Sequence, residues 1–485
     1  MPGTACVSVR WRAPRPCTTR SAGSPRPASP RPRWSPSSST GRGVILRAAS
    51  IRDARPGSRR LKPHGDTVSR VLARLVVVVL ALGASLASAQ APAEPQAGQP
   101  TLNAPAPTAG QPGVPIIPAP PGIAARAWLL MDARSGRVIM EHQADERMAP
   151  ASLTKMMTGY VLSEAIRIGK VKWEDTTRIS HNAWAQNPVF AGSSLMWVDI
   201  NADVSLKDLY YGLVISSGND ASVAIAEHLA GGEDSFAAMM NEQASRLGLA
   251  NTHFMNSHGL PHPEHYTTAR DLAVLARAMI YDHPQDYAVY GEQYFTFNNI
   301  RQMNRNELLG EPGVDGVKTG HTEEAGYCLV TSAERDGMRL IAVVLGTASK
   351  LARKEESRKM LGYGFRFYET PKVLTAGQSL SDPPVKVWKG AADTVRLGVT
   401  RDVHVTVPRG RAAELKAAYV IDEAHRAIEA PVEAGAVVGA VTVSLGEEAM
   451  LQEPLVTLDG VERGGFFGVF WDSIVLFFLK LFGQA

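Results

Sequence analysis

The sequence predicts an α/β domain of the α+β type with an antiparallel sheet, followed by a small all-β sandwich domain and a C-terminal amphipathic helix. Helix-like apolar periodicity is concentrated between residues 153 and 281, with strand-like runs on both sides of it. From residue 371 onward, short alternating runs lie between Pro and Gly turns. Residues 464–482 are almost all large and apolar.

We expect six segments that differ in composition. They are a disordered basic head (1–66), a signal peptide (67–89), a Pro/Ala-rich linker (90–122), the α/β domain (123–370), the β-sandwich domain (371–462) and the amphipathic helix (464–483). The head is rich in Arg, Pro and Ser and has too few large apolar side chains to form a core.

The signal peptide is predicted from the order of its parts. Two basic residues, Arg70 and Arg74, precede the apolar run Leu75–Leu82, and the small residues Ala87-Ser88-Ala89 follow. Secretory signals normally begin close to the apolar run. We therefore hypothesise that translation starts near Val68 and that the head is a mis-assigned extension.

The charge of the chain is unevenly distributed. Residues 1–89 carry a net +14 and the remaining residues carry −10, which together give the +4 of the whole chain. A nucleic-acid-binding protein is expected to concentrate basic charge on its folded part. The acidic body therefore argues against a nucleic-acid partner.

Within the α/β domain, four stretches have helical periodicity: 153–168, 206–229, 235–247 and 269–281. Strands are expected at 127–131, 329–333 and 340–345, and the last two flank the turn dipeptide Asp336-Gly337. Cys328 is the single cysteine outside the head, which excludes an intrachain disulfide framework in the body. Its strand-like neighbours indicate a buried structural thiol.

The C-terminal segment has a narrow polar side, which includes Asp472 and Ser473, and a broad Phe/Trp side. A membrane-spanning helix would need about 20 apolar residues without such a central polar pair. This pattern favours a helix that lies in the membrane interface, while packing on the protein's own core is the alternative.

The first chemical motif is Ser152-Leu153-Thr154-Lys155, at the start of an apolar helical run. The spacing places Ser152 and Lys155 one turn apart on the same helix face. A serine hydroxyl is a poor nucleophile until a nearby base removes its proton. A lysine can be that base if burial and a second cation, such as Lys318, lower its pKa.

Two further motifs follow in order. Ser217-Gly218-Asn219 places a hydroxyl and an amide where a helix meets a loop, and Lys318-Thr319-Gly320 leads into the predicted hairpin. Gly320 would let a substrate backbone approach the sheet edge. Each motif alone also fits a cap, a turn or a strand entry, but all three in this order, at spacings of 65 and 101 residues, are difficult to explain by structure alone.

The sequence resembles the serine D-alanyl-D-alanine carboxypeptidases, the low-molecular-mass penicillin-binding proteins of the peptidase S11 type. Beyond the three motifs, the resemblance includes Asp315–Thr322, Ala325-Gly326-Tyr327, Asn251–Phe254, His258-Gly259-Leu260 and Gly364–Tyr368. It implies a penicillin-binding/β-lactamase-like transpeptidase fold, a C-terminal β domain and an amphipathic anchor helix.

The resemblance also implies a mechanism. Ser152, deprotonated by Lys155, would attack the peptide bond between the two terminal D-alanines of a peptidoglycan stem peptide. Backbone N–H groups of Ser152 and His321 would form the oxyanion hole. Ser217 and Lys318 would pass the proton to the leaving D-alanine, and water would then hydrolyse the acyl-enzyme.

The same resemblance implies which residues hold the substrate. Asn219 would bind the stem-peptide amide, and Thr319, Gly320, His321 and Arg353 would bind the rest of the substrate, with Arg353 on the terminal carboxylate. The residues before Arg353, Ser349–Ala352, differ from the Gly-rich sequence that is usual in the family. β-Lactams would acylate Ser152 as inhibitors. No cofactor is expected, and the scattered histidines at 253–265 fit a surface loop near the cleft better than a metal site.

Three alternatives remain open at the level of sequence. A class A-like β-lactamase shares two of the motifs, but it would carry S-D-N in place of Ser217-Gly218-Asn219. A D,D-endopeptidase that cuts cross-links would use the same residues. A non-catalytic wall-binding protein would not need both Ser152 and Lys155. We expect an enzyme of the periplasm or cell envelope, peripheral on the outer face of the cytoplasmic membrane.

Overall fold

The computed structural model describes residues 117–482. The predicted head and signal peptide, and the linker up to residue 116, lie outside this range. Within it, a five-stranded antiparallel sheet with helices on both faces precedes an all-β domain and a terminal helix. The predicted fold class is confirmed.

The first domain contains nine strands and seven helices among the described residues. The strands are β1 (Ala127–Asp132), β2 (Val138–His142), β3 (Thr176–Arg178), β4 (Asp203–Ser205), β5 (Tyr294–Phe297), β6 (Ile300–Met303), β7 (Val314–Thr322), β8 (Gly326–Arg335) and β9 (Met338–Thr347). The helices are α1 (Lys155–Arg167), α2 (Leu206–Tyr211), α3 (Asn219–Ala230), α4 (Glu233–Arg246), α5 (Ala269–Asp282), α6 (Pro284–Tyr287) and α7 (Lys350–Phe367).

The main sheet has the strand order β2-β1-β9-β8-β7. Successive side chains of its central strands point to opposite faces. Leu129 and Val343 belong to the core formed with α1 to α5, whereas Leu130 and Val344 belong to the core under α7. The sheet therefore lies between two helical layers, and β7 is left as an edge strand beside the cleft.

The predicted elements are largely observed. The turn at Asp336-Gly337 joins β8 and β9, and three of the four predicted helices match α1, α4 and α5. The stretch 206–229 is different, because a single π-helical turn (Gly212–Ser216) and a left-handed residue, Ser217 with φ 58°, divide it into α2 and α3. Apolar periodicity continues through this break, so the pattern alone did not reveal it.

The second domain is all β, as predicted. Its strands are β10 (Tyr368–Glu369), β11 (Lys372–Leu374), β12 (Val385–Trp388), β13 (Thr394–Val395), β14 (Leu397–Gly398), β15 (Val403–His404), β16 (Val407–Pro408), β17 (Leu415–Ile421), β18 (Ile428–Glu429), β19 (Val437–Leu445) and β20 (Glu448–Thr457). Sheets of order β14-β20-β19-β17 and β13-β12-β18 surround a core of Val and Leu side chains, such as Leu397, Val441 and Leu455.

The terminal helix, α8 (Phe466–Leu481), is seated against the β domain. The Asp472 carboxylate accepts a hydrogen bond from the Lys389 backbone N–H at 2.5 Å, and Leu476 is buried. On the predicted polar side of the helix, Asp472 therefore contacts the β domain, whereas the Phe and Trp side chains are exposed. Among the residues that the structure describes, no helix has the length and hydropathy needed to cross a bilayer.

Candidate active site

The candidate site is a cleft of about 330 Å³ between the β7 edge and the helical layer. It is lined by Ser152, Gly192, Ser193, Ser194, Ser217, Asn219, His258, Gly259, Leu260, Arg305, Thr319, Gly320, His321, Thr322, Tyr327, Lys350 and Arg353. Seven of the nine predicted site residues are among them. The other two, Lys155 and Lys318, lie directly behind Ser152 and Ser217.

Ser152 lies in a short 3₁₀ turn, Ala151–Thr154, that continues into α1. This turn packs against β7, where a side chain at Gly320 would come within 3.0 Å of the Pro150 carbonyl oxygen. The absence of a side chain at Gly320 therefore favours the close approach of β7 to the turn that carries the serine. Lys155 Nζ lies 3.2 Å from Ser152 Oγ, as the helical spacing predicted.

Lys155 is almost completely buried, with 1% of its surface exposed. Its Nζ donates hydrogen bonds to Asn219 Oδ1 and to the His258 carbonyl oxygen, both at 2.7 Å. Burial lowers the pKa of Lys155 to about 7, because the ammonium form loses its hydration. The charge of Arg305 lowers this pKa further, whereas the carboxylates of Asp220 and Glu233 oppose the shift.

Ser217 and Lys318 form a second hydrogen-bonded pair at the cleft. Lys318 Nζ donates to Ser217 Oγ at 2.8 Å, and both residues are buried. Burial holds the pKa of Lys318 well below its ordinary value, and the positive charges of Lys155, Arg305 and Arg353 add to this effect. The left-handed backbone of Ser217 directs its hydroxyl toward this lysine.

Asp220, next to Asn219, fixes the cleft wall that contains Ser193 and Ser194. Its buried carboxylate accepts hydrogen bonds from the backbone N–H groups of Met196, Trp197 and Val198 at 2.8–3.2 Å. Burial nevertheless raises the pKa of Asp220, and these N–H groups partly offset the rise. The carboxylate thus holds three consecutive residues of the loop in one arrangement.

Arg353, in the first turn of α7, reaches the cleft beside β7. Its Nη1 donates to the Gly320 carbonyl oxygen at 3.3 Å, and its guanidinium lies 5.8 Å from the Tyr327 ring centre. The His321 ring contacts the Tyr327 ring of the neighbouring strand, with ring centres 4.0 Å apart and the ring planes tilted by 31°. The C-terminal part of β7 therefore presents both a strand edge and a guanidinium to the cleft.

Sequence reasoning missed several residues of the site. Arg305 lies at the cleft and donates through Nε to the Ser216 carbonyl oxygen at 3.3 Å, and Lys350 lines the mouth. Glu233 contacts the loop that carries His258. No motif marked these three. Asp220 could have been noticed, since it directly follows Ser217-Gly218-Asn219.

The sequence predicts that the histidines between 253 and 265 lie in a surface loop near the cleft. In the structure, not all of them are on the surface. His262 is exposed, but His265 is buried and bonded to Thr154 Oγ1 at 2.8 Å, and His258 lies in the cleft wall. Burial lowers the pKa of His258 to about 3 and that of His265 to about 4. Both residues therefore belong to the surroundings of the 3₁₀ turn and Lys155, His265 through its ring and His258 through its backbone carbonyl oxygen.

Cys328 is a buried thiol, as predicted. It has no exposed surface, and burial raises its pKa to about 11. A thiol at this pKa is fully protonated near neutral pH and is a poor nucleophile. The nucleophile of this cleft is therefore not Cys328.

Comparison with known proteins agrees with this geometry. Residues 115–349 match the family model described as D-alanyl-D-alanine carboxypeptidase, and residues 368–463 match that of the penicillin-binding protein 5 C-terminal domain. The chain is 46% identical to the D-alanyl-D-alanine carboxypeptidase DacA of Escherichia coli over 75% of its own length and 90% of that protein. It is 45% identical to DacC of the same organism, over 75% and 91%.

Solved structures give the same result. Penicillin binding protein 5 of Haemophilus influenzae superposes with a TM-score of 0.67 at 42% identity, covering 71% of this chain and 99% of that one. Penicillin binding protein 6B of Escherichia coli superposes with a TM-score of 0.59 at 38% identity, with the same coverage. The similarity therefore extends over both described domains.

Proposed function

This chain belongs to the D-alanyl-D-alanine carboxypeptidase family, and we propose that it removes the terminal D-alanine from peptidoglycan stem pentapeptides through an acyl-enzyme on Ser152. The observation that carries this proposal is the buried contact of Lys155 Nζ with Ser152 Oγ in a cleft that opens on a strand edge.

Acylation follows from the hydrogen bonds of Lys155. A neutral amine has two hydrogens to donate and one lone pair. The two shorter contacts, to Asn219 Oδ1 and the His258 carbonyl oxygen, use both hydrogens. The lone pair is then left for the third neighbour, the Ser152 hydroxyl, whose proton it removes as the oxygen attacks the substrate carbonyl.

The developing oxyanion would be stabilised by the backbone N–H groups of Ser152 and His321. The close packing of the 3₁₀ turn against β7 at Gly320 supports this proposal, because it brings these two stretches of backbone together. Hydrogen bonds from fixed backbone groups need no rearrangement as charge develops. They therefore favour the tetrahedral intermediate over the flat substrate carbonyl.

The leaving D-alanine needs a proton on its nitrogen. The Lys318–Ser217 contact of 2.8 Å supports a relay in which the Ser217 hydroxyl gives its proton to the leaving amine and regains one from Lys318. Water then attacks the acyl-enzyme, and the same groups act in reverse to release the shortened peptide.

Substrate contacts follow from the same arrangement. We expect the stem peptide to lie along the β7 edge at Thr319, Gly320 and His321, with its terminal carboxylate near Arg353. The Asn219 oxygen accepts a hydrogen bond from Lys155, and its amide N–H₂ group is left to donate to a carbonyl of the stem peptide. Asn219 therefore has a positioning task as well as the binding task that the sequence indicated.

The experiment that tests this proposal measures D-alanine released from a stem pentapeptide, with Ser152→Ala as the control. We expect release by the wild-type protein and none by the variant. A wall-binding protein would release nothing, and an endopeptidase would prefer cross-linked dimers. Rapid turnover of penicillin instead of slow release of bound drug would favour the β-lactamase alternative.

We also propose that the protein works in the cell envelope, attached to the outer face of the cytoplasmic membrane through α8. Every Phe and Trp side chain of α8 is at least half exposed, and Phe467 is 84% exposed. The net charge of −10 outside residues 1–89 gives no general attraction to anionic lipid. The Phe and Trp side chains would therefore supply the attachment by entering the interface.

A further inference from the structure

Lys155 donates one of its two short hydrogen bonds to a backbone carbonyl oxygen, and a carbonyl on a loop is a precise acceptor only if the loop is fixed. The acceptor is His258, in the loop Asn256–Leu260. The residue before it, Ser257, is completely buried and is held from two sides. What holds Ser257 therefore determines where the acceptor of Lys155 lies.

One side of the loop is held by α4. The two carboxylate oxygens of Glu233, at the start of α4, accept hydrogen bonds from the Ser257 N–H at 2.8 Å and from the Ser257 hydroxyl at 2.7 Å. The other side is held by α1, where Thr158 Oγ1 donates to the Ser257 carbonyl oxygen at 2.6 Å. Thr158 lies one turn after Lys155, so the same helix, α1, carries the lysine and binds the loop.

The loop also closes on itself. Asn256 Oδ1 accepts from the Gly259 N–H at 2.7 Å, and its Nδ2 donates to the Leu260 carbonyl oxygen at 3.0 Å. The His258 ring accepts from the Leu260 N–H through Nδ1 at 3.1 Å. A ring that accepts at Nδ1 and is neutral carries its proton on Nε2, which lies 3.9 Å from the Glu233 carboxylate.

We infer that Glu233 is a positioning residue of the active site: by binding Ser257 it fixes the His258 carbonyl oxygen, and this oxygen directs the lone pair of Lys155 toward Ser152. The inference rests on the proposed function. Glu233 does not line the cleft, so it acts through the loop and not on the substrate.

Glu233 also affects Lys155 through its charge. The charged and titratable groups that face Lys155 come from every neighbouring element: Asp220, Glu233, His258, His265, Arg305 and Lys318. Both histidines are neutral near pH 7. The Asp220 and Glu233 carboxylates favour the ammonium form of Lys155, whereas Arg305, and not the Lys318 expected from the sequence, is the cation that disfavours it. Removing the Glu233 charge therefore lowers the pKa of Lys155.

Two variants separate these effects. Glu233→Ala removes the charge and both hydrogen bonds to Ser257, whereas Glu233→Gln removes the charge but keeps one of the two acceptor oxygens. We measure acylation by labelled penicillin and pentapeptide turnover between pH 5 and 9. Asp234→Asn is the matched control, since Asp234 is an exposed carboxylate in the same first turn of α4.

We expect Glu233→Ala to lower the acylation rate on the high-pH plateau roughly 10- to 100-fold, with the pentapeptide KM unchanged. Glu233→Gln should lower the same acylation rate by a smaller factor. In both variants the acidic limb of the profile should move to lower pH by roughly half a unit. Asp234→Asn should change neither. A fall in rate together with an easier deprotonation is a combination that loss of folded protein does not produce.

The inference is overturned if Glu233→Ala keeps the wild-type plateau, or if the rate falls while the acidic limb stays in place. If Glu233→Ala fails to fold, the position of the acidic limb in the pH profile of Glu233→Gln tests the inference. If the wild type itself is not acylated, the proposed function fails instead. An NMR titration of the Lys155 Cε resonance then still tests this inference, because the pKa must be lower in Glu233→Gln than in the wild type.

Discussion

Lys155 shows how its surroundings convert an ordinary ammonium group into a base. Burial removes its hydration and brings its pKa to about 7, and two oxygen acceptors fix the direction of the amine. The sequence predicted the contact with Ser152, because i and i+3 on a helix are neighbours. It did not predict the acceptors, which are 64 and 103 positions away in the chain.

The pKa of Lys155 predicts how acylation depends on pH. The base must be a neutral amine, so the rate should be full well above pH 7 and should fall as the pH drops through about 7 and the amine becomes protonated. The measurement is the rate of acylation by labelled penicillin between pH 5 and 9. A rate that stays flat down to pH 5 would contradict the assignment of Lys155 as the base.

Arg353 permits a second prediction at the scale of residues. If its guanidinium binds the terminal carboxylate, Arg353→Ala should lower kcat/KM for the pentapeptide roughly 10²-fold, since a charged hydrogen-bonded pair is lost. The control is the same peptide with a C-terminal amide. Wild type should process the amide poorly, and the variant should treat both peptides alike. An equal loss on both peptides would place Arg353 away from the carboxylate.

At the scale of elements, backbone irregularities position the functional side chains. The left-handed Ser217 interrupts what periodicity describes as one long helix, and the 3₁₀ turn at Ala151–Thr154 precedes α1. Regular elements were predictable, such as the β8–β9 hairpin with its Asp336-Gly337 turn. The interruption was not, because strained backbone at a site depends on surrounding contacts, such as the hydrogen bond from the Asn219 N–H to the Ser194 carbonyl oxygen, which apolar periodicity does not report.

A substitution at Gly259 tests whether the loop Asn256–Leu260 packs against the 3₁₀ turn Ala151–Thr154. It has φ +93°, and a side chain there would lie 1.9 Å from the Ala151 carbonyl oxygen. Gly259→Ala should therefore destabilise the fold by about 1–3 kcal/mol and slow acylation. The control is Gly362→Ala in α7, where a side chain meets nothing within 4 Å.

Helix propensity should make Gly362→Ala neutral or stabilising by up to about 1 kcal/mol. Thermal unfolding of the two variants, measured beside penicillin acylation, is the test. Equal melting temperatures for Gly259→Ala and wild type would show that the loop and the turn are not packed as described.

At the scale of the whole molecule, the two domains share a polar network. Thr370 Oγ1 donates to Asp132 at 2.8 Å, and Thr406 Oγ1 lies 2.6 Å from Ser135 Oγ. The β domain in turn holds α8 through the Lys389 N–H. Composition predicted a β domain and an apolar tail. It could not show that Asp472 faces the protein, because that depends on a partner 83 positions away.

The aromatic side of α8 carries the prediction at this scale. Replacing Phe467 and Trp471 together by Ser should abolish binding to phospholipid vesicles, since two large exposed apolar groups are removed, and should leave D-alanine release in solution unchanged. Co-sedimentation with vesicles measures the binding. As a control, Val420→Ser changes an exposed apolar residue of the β domain. Undiminished binding by the double variant would contradict attachment through α8.

The central claim is that Ser152 is the nucleophile, and mass spectrometry after incubation with penicillin tests it most directly. We predict that the wild-type protein gains the mass of one penicillin, that the adduct lies on the peptide containing Ser152, and that Ser152→Ala gains none. The adduct should also be lost slowly. An unmodified wild-type protein, or an adduct that persists in Ser152→Ala, would contradict the account.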